Sequence, residues 1–232
     1  MNKQQVRDRL LRRFNKKNPA PLQLTGKING GHLVVPMITN FVAAHPALSR
    51  KLFDYHGSVP GLGNRLGRGE VLFYFIFDDV ELGGSSSSID VFKVAADGSR
   101  SPFLEIKCAT QEGDRYLNFF MGMDEVHASL KFFYRILRIF EKNDRLGKML
   151  LPTNFAHISK TKLEELKTVS PQLYRRAEDS YFTELMNGPI GKKIFLIYDQ
   201  STMLPIFHGL MSREQLKIER VSGGLTRLSF KP

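Results

Sequence analysis

The spacing of polar and apolar residues changes period several times along the chain, and each change predicts an element. Over residues 3–17, Val6, Leu10, Leu11 and Phe14 fall on one side of a helix, with Lys3, Arg7, Arg9, Arg12, Arg13, Lys16 and Lys17 supplying charge. Pro19 and Pro21 end it, because proline restricts the residue before it. Pro36–Leu52 predicts a second helix, interrupted or bent near Pro46. The glycine-rich stretch Gly57–Gly69 predicts a loop. Its glycines follow no clear strand and include no Gly-Lys-Ser/Thr step, which argues against a nucleotide-binding loop.

The run Val71–Phe77 is apolar throughout, so period alone does not separate a buried helix from a buried strand. Its aromatic and β-branched content favours a strand, whereas its place after Gly69, with Glu70 in the first turn, suits a helix start. Gly83–Ser88 is a polar connector. Ser88–Val94 and Pro102–Cys108 then read as short strands joined by a turn at Ala96-Asp97-Gly98-Ser99. Tyr116–Lys142 predicts a long helix whose broad apolar face, from Phe119 to Phe140, belongs to a core. A strand over 154–158 follows, then helices over Lys160–Lys167 and Gln172–Met186, and strands over 193–198 and 204–208. Leu216–Val221 and Leu225–Phe230 close the chain as a hairpin. This order predicts an α/β fold, a central mixed sheet flanked by helices. One domain is expected over 1–232, with a helical extension over 1–56, a core over 57–200 and C-terminal strands over 201–232.

Composition narrows the partners. The 34 basic residues against 23 acidic ones give a net charge of +11, which favours a polyanion, nucleic acid before an acidic membrane surface. Cys108 is the one cysteine, so no intramolecular disulfide forms, thiolate zinc ligation is unsupported, and a reducing cytoplasm is expected. Placed in an apolar strand, Cys108 reads as a small core residue. No apolar run reaches the roughly eighteen residues of a membrane span, and Met1–Arg7 leads into no apolar signal core. The six histidines have no HxH or HxxxH spacing, and no GxSxG elbow is present.

The candidate chemistry lies on the two short strands. Glu105 and Lys107 are two residues apart, so they point to one face, with Ile106 on the other. If Asp90 shares that face, two carboxylates and an ammonium converge. Such a cluster suits a hard divalent cation and phosphodiester hydrolysis, which needs an activated water and neutralised phosphate oxygens. Asp90 and Glu105 are the candidate ligands of Mg²⁺ or Mn²⁺, with the Ile106 carbonyl as a third, and Glu70 as a direct or water-mediated one. Lys107 is the positioned cation. Arg65 and Arg68 in the glycine-rich loop, and Arg12, Arg13 and Lys16 in the first helix, are candidate phosphate contacts. Asp78 and Asp79 read as end-capping residues, and Asp124 or Glu125 as a second acid near the site.

Gly69-Glu70, then Ile89-Asp90, then Glu105-Ile106-Lys107 followed by a long helix, resembles the PD-(D/E)XK nuclease superfamily. The resemblance covers roughly residues 67–140. It implies a restriction-endonuclease-like core in which Glu70 is borne on a helix, a Mg²⁺ site of Glu70, Asp90, Glu105 and Lys107, and hydrolysis of DNA, with RNA and a homodimer left open. Ile89 stands where the family name has proline. Gln111 and Tyr116 precede the long helix, so the roles of the family's helical Gln and Tyr are not carried over. A non-catalytic nucleic-acid-binding or assembly protein on the same scaffold is the alternative.

Overall fold

The computed structural model describes residues 3–14, 26–28, 31–59, 63–83, 89–119, 125–142, 157–188, 190–222 and 226–232. Contacts divide the chain into two units, Met1–Thr110 with Ile194–Gly209, and Gln111–Lys193 with Leu210–Pro232. The fold is mixed α/β, with mostly antiparallel strand pairs and seven helices among the described residues.

In the first unit, α1 (Lys3–Phe14) buries Val6 and Leu10, as its period requires. Arg7 departs from expectation: it is buried and forms a salt bridge to Asp78, while Lys3 Nζ donates to the Val80 carbonyl at 2.7 Å. Asp79 accepts the Ile28 N–H at 3.0 Å. The two adjacent aspartates therefore fasten α1 and residues 26–28 to the end of the helix over Glu70–Ile76. At Pro46 the helical run is interrupted rather than bent. Helix α2 (Val34–Ala44) stops at His45, and α3 (Pro46–Phe53) starts with proline at a position whose N–H has no helical acceptor. The glycine-rich stretch is more ordered than a loop, since β1 (Gly57–Val59) pairs antiparallel with β2 (Gly63–Leu66).

Helix α4 (Glu70–Ile76) settles the ambiguous apolar run. All seven of its residues are buried. A segment surrounded by core on every side has no polar face to impose a period, which is why spacing alone left it undecided. Gly69 caps it in the left-handed region, at φ +84. Around it the strands run in the order β3 (Val80–Leu82), β4 (Val91–Val94), β5 (Arg100–Glu112), β8 (Ile194–Asp199) and β9 (Pro205–Leu210). β3–β4 and β4–β5 are antiparallel, and β5–β8 is parallel, with Glu105 opposite Phe195 and Cys108 opposite Tyr198.

The second unit holds β6 (Arg115–Phe119), α5 (Val126–Glu141), β7 (His157–Ile158), α6 (Lys160–Val169), α7 (Pro171–Asn187), β10 (Leu216–Ser222) and β11 (Arg227–Phe230). Its strands run β6-β11-β10-β7, all antiparallel, and the closing hairpin forms as expected. The long helix begins later than predicted. Residues 115–119 form a strand, because Gly113 at φ +62 turns the chain back after β5 and Leu228 and Phe230 of β11 pair with it. From Val126 the helical period is real: Phe132, Phe133, Ile136 and Phe140 are buried, and Phe132 stacks on Tyr181 of α7 at 5.0 Å. Among the described residues no helix is long and apolar enough to cross a membrane.

Candidate functional site

The strand β4 begins at Val91, opposite Leu104, and the register shifts by one residue between Val91 and Phe92. Beyond that bulge the ladder gives out, and the Ile106 N–H would lose its partner. The Asp90 side chain supplies it, with Oδ2 accepting that N–H at 2.8 Å. Because a residue's N–H and C=O leave an extended strand on the same edge, the Ile106 carbonyl also faces the Asp90 side.

Glu105 and Lys107 share one face, as alternation required. Lys107 Nζ donates to Glu105 Oε1 at 2.5 Å and lies 3.5 Å from Asp90 Oδ2. The Glu105 side chain is 6% exposed, Lys107 18% and Asp90 24%. The cluster is thus sheltered but reachable.

Glu70, the first residue of α4, brings a third carboxylate. Its Oε1 accepts the Gly67 N–H at 2.8 Å. Burial, then the neighbouring Asp90, pushes its carboxyl up to about 7, with Glu105 adding to the effect; the Gly67 bond and Lys107 pull the other way. For Lys107, burial favours the neutral amine, but Asp90, Glu105 and Glu70 together outweigh it and raise the pKa. Lys107 therefore stays an ammonium at neutral pH. Ionised, three carboxylates around one ammonium carry a formal charge of −2.

The corner that places Glu70 is tightly built. The Gly69 N–H donates to the Phe53 carbonyl at 3.0 Å. A methyl group on Gly69 would lie 3.0 Å from two ring carbons of Tyr198 and 3.4 Å from Ile106 Cγ2. Tyr198 is fully buried on β8, edge-on to Phe53 at 5.4 Å. Gly67 and Gly69 precede Glu70 in the sequence and were legible as a signal. The part played by Tyr198 was not, since it depends on the parallel β5–β8 register. Cys108 points its thiol at the Arg68 carbonyl, 3.4 Å away, and burial pushes that thiol up to about 12, so it is no nucleophile.

The four expected residues Glu70, Asp90, Glu105 and Lys107 are brought together, and Ile106 sits among them. Asp78 and Asp79 are engaged with α1 and Ile28. Glu125 is buried in the second unit, where it accepts from Ser129 Oγ (2.9 Å), Tyr181 Oη (2.7 Å) and the Thr226 N–H (3.2 Å). Arg12, Arg13 and Arg68 are exposed. Lys16, Asp124 and the Arg65 side chain lie outside the described residues. No group of three or more His, Cys, Asp or Glu among the described residues is arranged to hold a metal ion. Lys107 instead stands between Asp90 and Glu105, where a bound cation would have to compete with it. Compared with known proteins, the chain matches no family model, no curated protein and no solved structure.

Proposed function

We propose that the first unit is a metal-dependent nuclease of the PD-(D/E)XK kind, with DNA as substrate and internal phosphodiester bonds as its target. One observation supports this most: Asp90 and Glu105 both meet Lys107, and Glu70 lies close enough to feel them, its carboxyl pushed up to about 7 by burial first and by Asp90 second. That donor chemistry fits Mg²⁺ or Mn²⁺, which are bound through hard oxygen ligands. Asp90 and Glu105 would hold the ion directly, with the Ile106 carbonyl, and Glu70 directly or through water. Bound there, the ion would lower the pKa of a coordinated water and neutralise charge on phosphate oxygens.

The chain's own residues supply the rest. Lys107, kept protonated by its neighbours, donates to the attacking water or to a non-bridging oxygen rather than acting as a base. Arg68, with Arg65, Arg12, Arg13 and Lys16, contacts flanking phosphates. A cytoplasmic location and assembly as a homodimer belong to the same reading.

The test is nicking of supercoiled plasmid in Mg²⁺, Mn²⁺ or EDTA, by the wild type and Asp90→Asn. Asparagine keeps an oxygen for the Ile106 N–H, so the strand end survives while the ligand charge is lost. Nicking should need the metal and fall by about 100-fold or more in the variant. Equal nicking in EDTA, or by Asp90→Asn, would overturn the assignment. A second reading, nucleic-acid binding without turnover, is favoured by the Lys107 bridge already joining Glu105 and Asp90. It predicts binding to the same plasmid that is indifferent to Mg²⁺.

A further inference from the structure

Helix α1 carries three arginines on one side. Arg9, Arg12 and Arg13 stand at i, i+3 and i+4 and all are exposed, while Asp8 turns elsewhere, its Oδ1 accepting from Gln4 at 2.9 Å. Like charges at that spacing destabilise a helix. The end of α1 is pinned beside the end of α3. Arg13 lies 5.1 Å from the Tyr55 ring centre and 5.5 Å from that of Phe14, the two rings meet edge-on at 5.6 Å, and Lys51 Nζ donates to the Phe14 carbonyl at 2.8 Å. Two basic last turns, Arg12-Arg13 and Arg50-Lys51, are thereby set side by side.

The helix dipole accounts for cations in those last turns, but not for Arg9 further back. From α3 the positive charge continues toward the site. Asp54 lies 3.8 Å from Arg50 and 3.9 Å from Arg68, and Arg68 is two residues before Glu70. The catalytic candidates themselves are acidic, so a phosphate arriving there needs attraction from nearby.

We propose that Arg9, Arg12, Arg13, Lys51 and Arg68 form a track for the phosphate backbone of duplex nucleic acid, running along α1 and the end of α3 to the Glu70 corner. For its choice of ligand the proposal rests on the nuclease reading. The Phe14 and Tyr55 rings pack edge-on against each other with Arg13 over both, so they offer no open platform for a base, and the contacts are independent of sequence.

The experiment measures anisotropy of a short fluorescein-labelled duplex with the full-length protein in EDTA, across a series of KCl concentrations. Each lost phosphate contact flattens the slope of log K against log salt by about 0.9. Arg9→Gln/Arg12→Gln should flatten it by about 1.8 and Lys51→Gln by about 0.9, with the thermal unfolding curve retained. Arg175→Gln/Arg176→Gln, on exposed positions of α7, should leave the slope unchanged. An unaltered slope in the α1 and Lys51 variants, or equal flattening in the α7 control, would overturn the track. So would loss of binding to phosphatidylserine vesicles with duplex binding intact. Nicking is read separately. Track-dependent binding without any nicking removes only the catalytic reading, and nicking with an unaltered slope removes only the track.

Discussion

Lys3 and Lys107 are both sheltered lysines of the first unit, and their surroundings drive them in opposite directions. Burial, reinforced by the adjacent Arg7, lowers the Lys3 ammonium to about 7 despite Asp78, Asp79 and Glu81. Lys107 is raised, because the carboxylates around it overcome the cost of burial. In the first cluster Lys3 and Arg7 meet Asp78 and Asp79, and Glu81 is paired with Arg100 at 2.9 Å, so each acid has a basic partner and the result is a clasp holding α1 against the end of α4. In the second, three carboxylates share one cation. Burial is common to both, so burial does not mark a site. The uncompensated surplus of one sign does, because it leaves the cluster able to gain from a ligand of the other sign.

Lys107 is where the two clusters differ most. Lys107→Met strips the paired ammonium from buried Glu105 and should cost about 4 kcal/mol of stability in EDTA. Millimolar Mg²⁺ should return part of that loss, raising the unfolding temperature of the variant more than that of the wild type. A variant that melts identically with and without Mg²⁺ would mean that the surplus charge draws no metal.

Next in size is the clasp. Asp78→Ala leaves Arg7 buried without its carboxylate, and two of its nitrogens already lack a hydrogen-bond partner among the described residues. A loss of about 3 kcal/mol is expected in urea unfolding, with no response to Mg²⁺. Unchanged stability would show that Arg7 reaches water when Asp78 is gone.

The smallest effect is the pH response of Glu70. Its carboxyl rises from 4.5 unfolded to about 7 folded, so the folded state binds the extra proton between those values. Stability is fully present below about pH 4.5 and is lost as pH rises through 7. Glu70→Gln removes that loss. It should gain about 2 kcal/mol over the wild type at pH 8 and almost nothing at pH 4.5. An equal difference at both pH values would rule out Glu70 as the titrating group.

Much of this was legible residue by residue. The alternation that puts Glu105 and Lys107 on one face follows from strand geometry and holds wherever β5 lies. The break at Pro46 and the closing hairpin are equally local, legible from proline's missing N–H and from the Gly223-Gly224 step between two strand patterns in the sequence. The failures are also local in cause. Apolar residues in 115–123 extended the helical pattern backward, yet 115–119 pair with β11, since hydrogen bonds to a distant strand outweigh a weak local preference. Arg7 looked like a solvated charge because nothing in its neighbourhood of sequence reveals Asp78.

The amino-acid sequence already fixes which chemical groups this protein has to offer: a Glu-x-Lys pair on one strand face, an aspartate at the start of the strand before it, a glutamate after a Gly-rich stretch, and a strong positive balance. Local backbone geometry and composition are enough for that. The packed fold alone set that the Asp90 carboxylate replaces a ladder partner for Ile106, that Gly69, just before Glu70, packs against Tyr198, and that Lys107 bridges two acids while Arg7 is paired with Asp78. Those outcomes depend on registers between strands and helices far apart in the chain, and the free energy that selects a register belongs to the packed whole.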